Sequence, residues 1–237
     1  MKIAWAVGIA AVLSGGWVFG AQAAPVAGVV TSLEGKPEIK ARGTGAYKRI
    51  KRSQMVYEGD SLKTAAGEKL ALVLVGGVEF RMNENSVFEV RSGGGGTQDA
   101  SLFTRLGQAW TKRLSGMAGL RVKTPSAVAA VRGTEADVDA EEQQLTLKVY
   151  EGHVDLLDAG EANTLSSLTA GEMADAGASG VSKRAMSEGD YGTWQQGMEA
   201  KNLDKDMQRL QKEAEKTRTL KFKDKDGKEL EIPIRKQ

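Results

Sequence analysis

Short runs of alternating apolar and polar residues, cut at close intervals by glycine turns, recur over roughly 155 residues from Ala27 to Val181. Leu70, Leu72 and Leu74 alternate with Lys69, Ala71 and Val73. Gly76-Gly77 then turns the chain, and Val78 to Met82 alternates back as the second arm of a hairpin. Val29 to Leu33 runs into a Glu34-Gly35 turn, and Met55 to Tyr57 runs into Glu58-Gly59-Asp60. Leu145 to Val149 turns at Glu151-Gly152 and resumes at His153 to Leu156. Leu165 to Leu168 and Ala170 to Met173 end the series. A period of two repeated this often predicts an all-β fold of short strands, as a sandwich or a solenoid-like stack.

Two stretches inside this part read differently. Gly93 to Gly96 predicts a loop. Leu102, Phe103, Leu106, Ala109, Trp110 and Leu114 permit a short helix or a strand, with Gly107 weakening the helix. After Lys183 the composition shifts, and residues 184–237 predict a helical extension ending in a β-hairpin. Ser187 to Asp190 looks like a helix start, and Trp194 and Met198 sit four apart. Asn202 is placed to cap a second helix, whose Leu203, Met207, Leu210, Ala214 and Thr217 form a narrow apolar stripe. That stripe either packs on the β domain or self-associates, and two heptads favour packing. Acids precede bases at i+3 in Asp206–Arg209, Glu213–Lys216 and Glu215–Arg218. Leu220 to Phe222 and Leu230 to Ile232 flank an Asp226-Gly227 turn, with Pro233 near the edge.

The N-terminus bears on compartment. Met1-Lys2, an apolar run from Ile3 to Phe19 and Ala21-Gln22-Ala23 form the pattern of a signal peptide over residues 1–23. Cleavage before Ala24 would leave about 214 residues and a periplasmic or secreted protein, free of any integral span. An uncleaved anchor would leave the domain on the same side. The 237-residue chain has no cysteine, so thiolate metal sites and a cysteine nucleophile are excluded. Its formal charge of +2 supplies no global field for nucleic acid or membrane.

Several motifs recur in an order that resembles the FecR-like domain family. Val56 to Thr64, with Gly59, Asp60 and Thr64, looks like that family's Gly-Asp…Thr motif. Val122 to Val138, with Thr124, Pro125, Arg132, Gly133 and Thr134, looks like its Thr-Pro…Val-Arg-Gly-Thr motif. The turns at Gly152 and Gly171 resemble its Glu-Gly-x-Val and closing Gly-Glu turns. Two positions depart: the usual Asp-Gly turn is Gly76-Gly77, and the aromatic after Arg-Gly-Thr-Glu is Ala136. The resemblance implies a periplasmic β domain over residues 24–183. The family's membrane regulators add a cytoplasmic domain that holds a sigma factor, and a transmembrane helix. The sequence shows neither, so the resemblance implies the periplasmic module without direct sigma-factor control.

The motif residues themselves read mainly as structure. Gly133 predicts a bend, Pro125 a strand start or edge, and Asp60 a side-chain-to-backbone turn bond. Arg132 either braces the bend or faces a cleft to bind a partner. Candidates for chemistry are few. His153 is the single histidine and has no serine–aspartate partners at triad spacing, and one histidine makes a zinc site improbable. Asp137, Asp139 and Glu141 share one strand face, which suits a solvated acidic surface better than a calcium loop.

From Ser101 to Thr134 there are six bases and no acid, and from Glu135 to Asp175 eleven acids and one base. Neighbouring strands that place these charges opposite one another account for the segregation. A bipolar docking surface is the alternative. The expectation is a non-enzymatic, cofactor-free module that binds an envelope protein partner in signal sensing or transmission. Arg132, Leu203, Met207 and Leu210 are its candidate contacts, and nucleic acid is not a partner. The alternative is a structural or glycan-binding envelope module, for which Tyr47, Tyr57, Trp110, Tyr150 and Trp194 are the available aromatics.

Overall fold

The computed structural model describes residues 24–91, 100–114, 119–133, 135–217, 219–223 and 229–233. Residues 1–23, where a signal peptide is expected, the Gly93–Gly96 run, Thr134, Arg218 and Asp226-Gly227 lie outside the described residues. Seventeen strands join one hydrogen-bonded network, folded into two facing sheets. In chain order they begin with β1 (Val26–Glu34), β2 (Glu38–Lys40), β3 (Lys48–Arg49), β4 (Met55–Tyr57) and β5 (Ser61–Lys63). Next come β6 (Lys69–Leu74), β7 (Val78–Met82), β8 (Val87–Arg91) and β9 (Ala100–Arg113). β10 (Leu120–Lys123), β11 (Ala127–Val131), β12 (Glu135–Glu141) and β13 (Gln144–Glu151) follow. β14 (His153–Asp158), β15 (Thr164–Thr169), β16 (Glu172–Gly177) and β17 (Gly180–Ala185) complete the set.

The front sheet runs β4-β1-β6-β7-β9-β12-β13-β16-β17. The back sheet runs β3-β2-β5-β8-β9-β10-β11-β14-β15. All pairs are antiparallel except β9 with β10. From β10 onward the chain lays successive hairpins alternately in the back and front sheets. The fold is therefore a sandwich wound by a coiling path, which joins the two architectures the sequence left open.

Strand β9 belongs to both sheets. Ser101–Leu106 pairs with β8 in the back sheet, and Ala109–Arg113 pairs with β7 in the front sheet. The apolar run from Leu102 to Trp110 is thus strand, not helix. Gly107 makes the passage, at φ 138°. A Cβ there would lie 2.6 Å from the Cβ and 2.8 Å from the Cα of Ser86, so backbone blocks any side chain.

The core lies between the sheets. Leu70, Leu72, Leu74, Phe80 and Met82 from the front meet Leu62, Phe88, Val90 and Leu102 from the back. The rings of Phe80 and Phe88 contact edge to face at 5.1 Å.

A segment from Met186 to Asn202 leaves β17 and leads to helix α1 (Leu203–Thr217). Ser187–Asp190 forms only a single 3-10 turn, and Trp194 and Met198 sit among turns, not on the expected helix. Asn202 does precede α1, and its carbonyl accepts the Asp206 N–H at 3.0 Å. The stripe of α1 packs outside the front sheet, where Leu210 joins Val26, Val29 and Val73, with Leu203, Met207 and Ala214 beside them. Strands β18 (Thr219–Lys223) and β19 (Glu229–Pro233) pair as a terminal hairpin. Among the described residues no helix is long and apolar enough to cross a membrane.

Candidate functional site

The motif residues gather at turns and at crossings between the sheets. Asp60 is buried in the β4–β5 crossing, where its carboxylate accepts the N–H groups of Tyr57 at 2.9 Å and Arg42 at 3.1 Å. Thr64 is buried as well. Its hydroxyl donates to the Asn83 carbonyl at 2.6 Å and accepts the Ser86 N–H at 3.1 Å. Thr124 staples the β10–β11 turn, accepting the Ala127 N–H at 3.1 Å and donating to the Ala127 carbonyl at 2.9 Å. Pro125 sits within that turn, where no ladder bond asks for an N–H. The expected place at a strand start or edge is corrected accordingly.

Gly133, at φ 74°, carries the chain from back to front sheet under the Arg113 guanidinium. The Arg113 tip can move aside, so the backbone conformation is what requires glycine. Gly59, Gly152 and Gly171 occupy the crossings β4–β5, β13–β14 and β15–β16. Arg132 is exposed, and its charge helps hold the Asp155 carboxyl below its usual range, behind the Ser167 hydrogen bond and the bond from His153. Nothing at these positions forms a reactive constellation. They are the fastenings of the frame.

The outer face of the front sheet is covered. Register places Arg81, Trp110, Asp137, Lys148 and Met173 in one row across β7, β9, β12, β13 and β16. The segment from Met186 to Met198 crosses this row as a strap. Asp190 takes a two-pronged ion pair from Arg184, with both hydrogen bonds at 2.8 Å. That pair, more than the Ser187 contacts, holds its carboxyl far below the usual range. Lys148 donates to the Asp190 carbonyl at 3.0 Å and Lys69 to the Trp194 carbonyl at 2.9 Å. Arg81 donates to the Gln195 carbonyl while pairing with buried Glu79 and lying 4.6 Å over the Trp110 ring. Met198 is fully buried.

Asp137 lies beneath the strap. Its Oδ2 accepts from Trp194 Nε1 at 2.8 Å and from Gln108 Nε2 at 3.3 Å. Its Oδ1 has no hydrogen-bond partner among the described residues. At 2 % exposure, burial pushes its carboxyl up to about 6, against the lowering by the Trp194 bond and Lys148. Tyr150 stands beside it, and burial first and the Asp137 charge second push its phenol up to about 12. The solvated acidic face expected for Asp137, Asp139 and Glu141 is therefore corrected. Asp137 is buried and committed to the strap, Asp139 is half-buried and Glu141 is exposed. Among the described residues no cluster of histidines and carboxylates is arranged to hold a metal. The bases and acids of the segregated stretches meet: Lys112 with Glu135 at 2.8 Å, and Arg121 and Lys123 with Glu161.

Among the described residues, no segment crosses the outer face of the back sheet between β3 and β9. Arg49, Glu38, Lys63, Val87 and Leu106 form one row across β3, β2, β5, β8 and β9. Lys40 and Lys63 hold their ammonium groups 5.2 and 5.6 Å from the Tyr47 ring, which is anchored by a 2.9 Å bond between its hydroxyl and Ser61. Arg91 and Arg105 lie 3.9 and 5.8 Å from the Phe103 ring. A hollow of about 270 Å3 opens between Lys36, Glu38, Arg49, Lys63, Ala65 and Glu68. Motif reading passed over these side chains. The available signal was charge: residues 36–63 hold eight bases against three acids. No local signal joined the strap to Asp137.

Residues 60–155 match the family model described as FecR protein. No curated protein matches the chain. Two crystal structures of a candidate anti-sigma factor from Parabacteroides distasonis ATCC 8503 resemble it with TM-scores of 0.44 at 17% identity. Each comparison covers 53% of this chain and 59% of that one, so the chain spans little more than half of that protein. The matched segment opens on the Asp60 staple, takes in the Thr124 turn and the Gly133 and Gly152 crossings, and ends on β14. From Asp60 to Asp155 this chain is similar to the FecR family.

Proposed function

We propose that this chain is an exported, non-enzymatic FecR-like module that binds a protein partner in the cell envelope and serves in sensing or transmitting a signal. One observation carries the reading: the FecR match falls on residues that fasten the frame, which leaves the outer faces to do the binding. FecR domains belong to signal transduction, and the signal-peptide pattern of residues 1–23 supports export. The lone histidine, His153, is exposed and bonded to Asp155 at 2.9 Å, and the nearby Ser167 hydroxyl donates to that carboxylate at 2.7 Å instead of to the histidine, which is not the order of a triad.

Crosslinking in the intact envelope, with identification of the captured protein, tests the reading. A regulator or receptor captured reproducibly is the expected result. Turnover of a substrate that vanishes on His153→Ala would refute it. A mature polypeptide starting at Ala24 checks the export step. The glycan-binding alternative asks for exposed aromatics, but Trp110 is buried under Arg81 and Tyr150 stacks near Tyr191 at 5.7 Å. A glycan array without hits is the expected outcome.

A further inference from the structure

We infer that the open face of the back sheet, from Arg49 to Leu106, is the docking surface and that its ligand is an acidic protein segment carrying apolar side chains. This rests on the proposed partner-binding role and names the chemistry of that partner.

The front face is already occupied by the strap and α1, so a partner must displace them or use the other side. On the back face, Val87 and Leu106 are register partners, and they are 37% and 52% exposed. Large side chains so exposed are few among the described residues, yet these two are adjacent. Cations surround them. Lys63 is the register partner of Val87 on one side, and Arg105 precedes Leu106 on the other.

Beyond Lys63 stand Arg49 and Lys36 around the 270 Å3 hollow, and Lys40 over the Tyr47 ring. Among the described residues, none of Lys36, Lys40, Arg49 and Lys63 has a carboxylate within ion-pair distance. Of the two acids lining the hollow, Glu68 is already turned to the backbone N–H groups of Lys36 at 3.1 Å and Ala65 at 2.9 Å, and Glu38 stands in the row between Arg49 and Lys63, one acid against four cations. Glu89 is drawn to Arg91 at 3.4 Å. The face thus presents positive charge in excess, with Lys40 and Lys63 resting near the Tyr47 ring and Arg91 and Arg105 near that of Phe103.

Charge alone would suit an anionic glycan. The apolar pair at the centre of the patch decides against one, because a glycan has no side chain to cover Val87 and Leu106. A segment alternating carboxylates with apolar residues meets both demands at the strand period of two. The acid-rich half of a second copy of this chain is the other charged occupant to be tested.

The probe is a fluorescein-labelled peptide of alternating glutamate and leucine, measured by anisotropy against the full mature chain. Its glutamine counterpart and polygalacturonate serve as competitors. Binding should weaken at least ten-fold for the double variant Arg49→Glu, Lys63→Glu and several-fold for Leu106→Ser, and should fall with added salt. All three positions are exposed, so circular dichroism and melting should stay at wild-type values. Binding untouched by these changes overturns the inference. So does polygalacturonate competing equally, which assigns the face to a glycan. A dimer in sedimentation that Lys63→Glu dissolves assigns it to a second copy instead and also overturns it.

In cells, a photocrosslinker at Leu106 should capture the partner and one at Glu199 should not. Capture from Glu199 alone overturns this inference and leaves the proposed function standing. Capture from neither position removes the proposed function.

Discussion

Front and back sheets share strand β9, a common core and the same pleat, and each turns alternate side chains outward. On the front, those side chains meet the rest of the chain. Arg81, Lys148 and Lys69 reach strap carbonyls, Asp137 receives the Trp194 indole, and Leu210 of α1 closes over Val29 and Val73. On the back, between β3 and β9, no described segment covers the corresponding positions, and the cations near Tyr47 and Phe103 lean on aromatic rings. An outward row is neither structural nor functional by its composition. What later segments of the chain do with it decides. Substitutions on the front face should therefore read out in stability, and substitutions on the back face in binding.

The largest effect belongs to the residue that serves both faces. Gly107→Val forces a side chain into Ser86 at a φ that β-branched residues avoid. We expect a loss of about 4 kcal/mol or more, seen as insoluble or molten protein. A cooperative, wild-type-like urea transition would show that the two sheets do not depend on this joint.

Next comes the apolar clamp of the front face. Leu210 is 4% exposed and faces Val26, Val29 and Val73. Leu210→Ala should cost about 3 kcal/mol by equilibrium denaturation. If instead the transition stays in place and the oligomeric state changes, α1 serves association rather than packing.

Much of the frame was legible from local pattern, for reasons that individual residues make plain. Leu70, Leu72 and Leu74 alternate because one side of β6 faces the core, and the period shows within five residues. The stripe Leu203, Met207, Leu210 showed for the same reason on a helical period. Thr124 acts on backbone three residues away, as does Asp60 in its bond from Tyr57, so their turn chemistry was readable too, although the Asp60 bond from Arg42 spans 18 residues and was not. The strap was not. Trp194 meets Asp137 across 57 residues and Gln195 meets Arg81 across 114, and neither contact leaves a local period. The four-residue spacing of Trp194 and Met198 mimicked a helix, but the backbone there only turns, with Trp194 bonded to Asp137 and Met198 buried. The open face was missed for a different reason: its cations are scattered over β2, β3, β5, β8 and β9, and only register brings them together.

The pH response sharpens the comparison at the covered face. Burial raises the Asp137 carboxyl from its ordinary 3.8 to about 6 in the folded protein. The folded state therefore holds this proton more tightly than the unfolded chain does. Its stabilising effect is complete below about pH 4 and is lost as pH rises through about 6. Arg81, Glu79, Lys112, Glu135, Asp139, Lys148, Tyr150 and the strap's Asp190 are the charged and titratable groups around it. The lowered carboxyls of Asp190, Glu161 and Glu172 act in the opposite sense and mostly below about pH 4.5, so the clean window is about pH 5 to 7. Asp137→Asn should flatten stability across that window and add about 2 kcal/mol at pH 7, read from urea midpoints. An unchanged slope would mean that the strap opens readily enough to hydrate the carboxylate.

The smallest expected effect tests the open face from the other side. Leu106 is 52% exposed and contributes its side chain to no core cluster. Replacing it with serine removes apolar area that water already covers for the most part, while β9 keeps its ladder bonds to β8. The stability change should stay within about 0.5 kcal/mol, although the same substitution should weaken peptide binding several-fold. A loss of 2 kcal/mol or more, on the scale of a buried leucine, would mean that Leu106 is covered in solution by the chain itself, and the contrast between the faces would then fail at its centre.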